Sequence, residues 1–121
     1  MSRTTLTPVA ISTNPYATTG VPLVFTAGNV ADGNDFASTG REILVAQNTD
    51  SGAHTVTVAS VADTFGRLGN ITADSIAAGD YRVYQIFPQL FWAQTGNLIN
   101  VNVDSATVEL AVLKLPATLP K

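Results

Sequence analysis

The feature that most limits the folds open to this chain is a rhythm of short alternating apolar runs broken by turn residues. Ile99, Val101 and Val103 alternate with Asn100 and Asn102, Val56 and Val58 with Thr55 and Thr57, and Val108, Leu110 and Val112 repeat the pattern. Successive side chains on a strand point to opposite faces, so each run has one apolar and one wet face. Turn chemistry separates the runs: Asn48-Thr49-Asp50-Ser51-Gly52, Ala77-Ala78-Gly79-Asp80, Asp104-Ser105, and the stops Pro88 and Pro116. About seven or eight short strands at roughly 8–12-residue spacing, with no helical stretch, specify an all-β fold. We expect an antiparallel β-sandwich, jelly-roll or Ig-like. The 121 residues fit one domain that can bury its own core.

Residues 41–58, "REILVAQNTDSGAHTVTV", read as a β-hairpin turning at Asn48–Gly52. Pro22 to Thr26 reads as a strand begun by a proline, and Gly28 to Gly40 as a polar loop. Ile71-Thr72-Ala73 reads as a short strand. In Tyr81 to Phe87, bulky residues fall on both faces, with Tyr81, Val83 and Phe87 on one side and Tyr84 and Ile86 on the other. The domain spans 21–115, between an extended arm over 1–20, in which Val9-Ala10-Ile11 is a candidate edge strand, and a tail over 116–121.

Charged residues are only 12% of the chain against 45% hydrophobic ones, so its surface must be covered by Thr, Asn, Ser, Gln and Gly. Neutral polar surfaces suit subunit contacts, where each desolvated charge costs energy. A net charge of −3 with six scattered Lys and Arg argues against nucleic acid, which demands clustered cations. With no cysteine, disulfides, thiolate-bound zinc and thiol catalysis are excluded. No apolar run is long enough for a membrane span, and Met1-Ser2-Arg3-Thr4-Thr5 lacks the marks of a signal peptide, so synthesis in the cytoplasm is expected.

Reactive constellations are scarce. His54 is the sole imidazole, without a Gly-x-Ser-x-Gly elbow or further histidines for a zinc site; its alternation places it at the rim of a core face. Seven of the nine carboxylates fall in expected turns, where aspartate serves the backbone, and Asp32-Gly33-Asn34-Asp35 lacks the distal Glu and helical frame of a calcium loop. Gly66 and Gly69 are not followed by the Lys-Ser/Thr step of a phosphate loop. The reading is a protein that is not an enzyme and uses no cofactor or metal.

Two features remain for binding. Phe87 to Trp92 is an aromatic cluster, read either as a plug over the open end of the sandwich or as a surface that stacks on sugars. The Thr- and Pro-bearing ends can lace onto neighbouring subunits. The candidate contact residues are Leu6, Pro8, Val9 and Ile11 in the arm, with Phe91 and Trp92 in the aromatic group.

The run "FASTGREILVAQNTDSGAHTVTVAS" and the later "IAAGDYRVYQIFPQLFWAQTGNLINVNVDSATVELAVLKL" resemble the small head decoration proteins that cement the capsids of tailed bacteriophages. The resemblance covers roughly residues 36–115 and consists of strand and turn patterns. It implies a structural protein of the virion that binds the outer capsid surface, stabilises the lattice of the major capsid protein, and associates with itself as a homotrimer. A carbohydrate- or receptor-binding module, and a tail or connector subunit of such viruses, are the alternatives.

Overall fold

The computed structural model describes residues 2–11 and 19–116. Their chain order is β1 (Thr4–Thr5), β2 (Val9–Ala10), β3 (Thr26–Ala27), β4 (Asn34–Ala37), β5 (Glu42–Asn48), β6 (His54–Val58), β7 (Ile71–Ile76), β8 (Tyr81–Ile86), a single helical turn α1 (Gln89–Trp92), β9 (Leu98–Val103) and β10 (Val108–Lys114). One sheet runs β1-β4-β9-β6-β7 and the other β2-β10-β5-β8, with β3 also paired to β10. The two pack face to face as an all-β sandwich, as the alternation requires. Without β1 and β2, the orders β4-β9-β6-β7 and β3-β10-β5-β8 are those of a jelly roll, so this form of sandwich is the one adopted. Two expectations change. There are about ten strands, and the sheets are mixed, because β1 runs parallel to β4 and β2 parallel to β10.

The core is built by the alternating positions. Leu44 and Ala46 from β5, Val56 and Val58 from β6, Ile99 and Val101 from β9, and Val108, Leu110 and Val112 from β10 are fully buried between the sheets. Phe36 of β4 and Phe87 after β8 add two aromatic rings, 6.3 Å apart at their centroids. Burial of side chains this size is the dominant favourable contribution to such a fold.

Residues 41–58 do not form a hairpin. β5 pairs with β10 and β8, while β6 pairs with β7 and β9 in the opposite sheet. The turn between them is a corner that carries the chain across the sandwich. A corner delivers the alternating residues of both strands to one core just as a hairpin would, so alternation cannot separate the two. What decides it is Asn48, which is buried; its Nδ2 donates to the carbonyls of Gly52 (2.8 Å) and Ile76 (2.9 Å), and its Oδ1 accepts from Asp50 N–H (3.0 Å). The links 77–80 and 104–107 cross between sheets beside it: Asn48 N–H donates to Asp80 O and Thr49 N–H to Thr107 O.

Other elements differ for identifiable reasons. Pro22 to Phe25 is not a strand, since β10's outer edge pairs with β2 at Leu113–Lys114 and with β3 at Glu109–Leu110, leaving β3 two residues long. The loop expected over 28–40 contains β4, whose Asn34 and Asp35 are buried where it pairs with β1 on one side and β9 on the other. The strand expected at Ile71 extends to Ile76. A bulge in β8, opposite Ile43–Val45, turns Tyr84 inward and leaves Tyr81, Val83 and Ile86 exposed, so Tyr84 shares the interior with Phe87. Strands β1 and β2 place the described part of the arm within the sandwich, while 12–18 and the tail from 117 lie outside the described residues.

Candidate functional site

Antiparallel pairing puts the links 28–33, 49–53, 77–80 and 104–107 at one end of the sandwich, and 38–41, 59–70 and 87–97 at the other. His54 sits at the first end. Its Nε2 lies 2.7 Å from Asp50 Oδ2 and its Nδ1 3.2 Å from Asp104 Oδ1, so the ring ties two crossing links together. The Asp50 hydrogen bond raises the histidine's pKa, opposed by partial burial and aided by Asp104. Asp50 is lowered chiefly by that same bond; Asp104, although burial pushes it up, is lowered by Thr55 N–H and His54. The two carboxylates lie against opposite ring nitrogens, so the imidazole is engaged on both sides as a brace between the two links. Among the described residues, no group of three or more His, Cys, Asp or Glu is placed to hold a metal ion.

Two further carboxylates, Glu42 and Asp63, serve the backbone. Glu42 begins β5 nearly buried; burial pushes its pKa up, but Thr39 Oγ1–H, Thr39 N–H and Arg41 N–H outweigh it and hold it below the usual range. Asp63 Oδ1 accepts from Phe65 N–H (2.8 Å) and Arg67 N–H (2.9 Å), and its Oδ2 from Arg67 Nε–H (2.7 Å). These bonds close the loop 59–70 on itself and lower the Asp63 pKa, the Arg67 N–H contributing most.

That loop and α1 build the most distinctive surface, at the second end. Pro88 starts α1, Trp92 turns inward at 7% exposure, and its ring meets Phe87 edge-on at 4.9 Å. With Trp92 fixed, the other face of the turn points out: Leu90 is 76% exposed and Phe91 44%. Val61 N–H donates to Phe91 O (2.7 Å), docking the loop against α1. Phe65, 79% exposed, and Leu68 complete an apolar rim, and the Arg67 guanidinium lies 5.2 Å from the Phe65 ring centroid. Two clefts of about 300 Å³ each flank the ridge of Arg67 and Phe91, one floored by Leu68 and Trp92, the other by Phe65 and Leu90.

Comparison with protein-family models, curated proteins and solved structures returned no match to this chain. The site therefore rests on its own geometry.

The candidate residues separate accordingly. Phe91 is presented to solvent, whereas Trp92 is the plug, almost wholly buried. Leu6 lies in the core at 2% exposure. Pro8 and Val9 are half-buried and Ile11 is exposed at the far margin of the other sheet. Phe65, Leu68 and Leu90 were not among the expected contacts. The signal for Phe65 and Leu68 was present in "DTFGRLG": two large apolar residues in a glycine-broken loop, with no strand to bury them.

Proposed function

We propose that this chain is a non-enzymatic structural protein that docks on the outer surface of a tailed-phage head and stabilises its major capsid protein lattice, working as one of several self-associated copies. The observation that carries the docking is the exposed apolar end formed by Phe65, Leu68, Leu90 and Phe91. Contiguous exposed apolar residues rimmed by polar ones mark interaction surfaces, and these sit on loops held rigidly by Asp63, Pro88 and Trp92. The choice of a phage head as partner comes from the likeness of residues 36–115, and the choice of a homotrimer from the same source. The charge-poor surface agrees with both.

Co-sedimentation with undecorated heads at micromolar concentration tests it. The wild-type chain is expected to pellet with heads and Leu90→Asp to stay in the supernatant while keeping wild-type thermal stability. Absence of wild-type binding, or unchanged binding by Leu90→Asp and Phe65→Asp, overturns the reading. A glycan- or receptor-binding reading has one observation in its favour, a shallow polar groove of about 670 Å³ where Asp35, Asn100, Gln94 and Thr95 converge over Leu98. Glycan-array binding lost in Asn100→Ala, with no affinity for heads, would favour it.

A further inference from the structure

We infer that residues 2–11 are an exchangeable strap, and that in an assembly the seat they occupy is filled by the same residues of a second copy. The strap crosses the open side of the sandwich and adds one parallel strand to each sheet. Thr4 and Thr5 pair with Asn34 and Asp35 of β4, and Val9 and Ala10 with Leu113 and Lys114 of β10. Between them Leu6 plugs the core. Arg3 Nη1 donates to Asn34 O (3.1 Å) and Asn102 Oδ1 (2.9 Å), Thr5 Oγ1 to Asp35 Oδ1 (2.7 Å), Leu6 N–H to Asp35 O (2.7 Å), and Ile11 N–H to Lys114 O (3.2 Å).

All these partners lie at least twenty-nine positions away in sequence. None of these bonds depends on the covalent link that follows Ile11, so a strap from another copy makes the same bonds in the same register. This is the condition for exchange of an identical element between subunits. The seven residues from Ser12 to Thr18 join Ile11 to Thr19; eight Cα steps reach up to roughly 27 Å, about a domain diameter. An attached strap competes with an effective concentration on the order of millimolar, so a dilute monomer keeps its own. Copies seated side by side on a shell meet one another at comparable local concentrations, where exchange links them without any new contact surface. The inference rests on the subunit reading only for that crowding.

The chain has no cysteine, which makes a clean test. Val9→Cys and Leu113→Cys are introduced into separate chains. Their Cα positions are paired neighbours in adjacent strands, within disulfide reach. The two chains are unfolded, mixed, refolded together at about 1 μM and about 1 mM, and oxidised. Neither chain can form the 9–113 bond alone, so exchange predicts a 9–113 heterodimer on a non-reducing gel that grows with refolding concentration and exceeds 9–9 and 113–113 dimers. Thr5→Cys with Asp35→Cys repeats the test on β1 and β4 should either variant fail to refold. A statistical mixture of the three disulfides overturns the inference, as does wild-type protein that refolds at about 1 mM and elutes only as a monomer. Neither readout involves a head, so failure of head binding and failure of exchange are distinguishable.

Discussion

Replacing Asn48 by alanine tests the corner that makes this sandwich a jelly roll. Asn48 has no exposed surface, and its side-chain amide makes three hydrogen bonds, to Gly52 O, Ile76 O and Asp50 N–H. The bond to Ile76 O is buried, so water cannot replace the lost donor there; the other two are part-buried and are partly recovered by solvent. A buried polar group left without a partner costs about 1–3 kcal/mol, and a recovered bond about 0.5 kcal/mol. The sum is about 2–4 kcal/mol, a large share of the ~5–15 kcal/mol that holds a domain folded. Trp92, the sole tryptophan and buried against Phe87, reports unfolding by its fluorescence. Urea titration should move the midpoint down by roughly 1–3 M at unchanged slope. Asn48→Asp keeps an acceptor but aims it at two carbonyls, so it should be at least as destabilising as alanine at neutral pH. A loss below about 0.5 kcal/mol in Asn48→Ala, the level of an ordinary surface change, refutes the corner's role.

Three further outcomes follow from the same geometry. The His54 brace gives a bell in stability against pH. A histidine raised above 6.5 in the fold contributes fully below 6.5 and loses its effect as pH rises through the raised value, while aspartates lowered from 3.8 contribute above 3.8 and lose theirs as pH falls. The melting temperature of wild type minus that of His54→Ala should therefore be greatest between about pH 4 and 6.5 and shrink on both sides; a flat difference refutes the brace. Gly33 has φ +83°, and a Cβ there would overlap the Arg3 guanidinium and the Asn102 side chain, whereas Gly40, at φ +85°, has open space around it. Gly40→Ala should cost about 1 kcal/mol from backbone strain alone and Gly33→Ala roughly 2–3 kcal/mol in chemical denaturation, with equal losses counting against the strap's clamp. Leu90→Asp should change the urea midpoint by no more than a surface substitution does, in contrast to Phe87→Ala, which empties the core of a ring and should cost about 3–5 kcal/mol.

Strand existence was legible wherever one face was buried and the other wet, because alternation is the direct imprint of that environment. The interior set Ile99, Val101, Val103, Val108, Leu110 and Val112 came from periodicity alone. Pairing was not legible. The same alternation serves a hairpin and a cross-sheet corner, and only the buried amide of Asn48, ordinary turn chemistry by composition, separates them. β4 was hidden for a related reason: Asn34 and Asp35 look like loop residues, and the strap residues Arg3 and Thr5 that bond them are too far away in sequence for a local pattern to register. At the site, the aromatic plug was legible in Phe87 to Trp92, but which ring faces outward is set by the phase of a single helical turn after Pro88.

The two ends of the sandwich differ in what they can be asked to do, and the cause is topological. Three of the links that cross between sheets at the His54 end, 49–53, 77–80 and 104–107, are short and bonded to their neighbours: Asn48 to Asp80, Thr49 to Thr107, Thr55 to Asp104. A change there propagates into four strands at once, so that end is committed to the fold. At the other end, β6 and β7 are adjacent in one sheet, and two residues would suffice to join them; the chain uses the twelve from Ala59 to Asn70. The excess contributes nothing to the core, since Phe65 and Leu68 remain in solvent, and it displays apolar surface at a cost in solubility. A loop of that length with its own carboxylate-centred scaffold, closed on Asp63 and docked to Phe91 O, is built to hold a shape and not to span a gap. Shortening 61–68 to a two-residue turn should accordingly leave the unfolding free energy from urea titration within about 1 kcal/mol of wild type while abolishing binding to heads. A shortened chain that still binds would place the docking surface elsewhere, with the outer face of β8 around the exposed Val83 next to be tested.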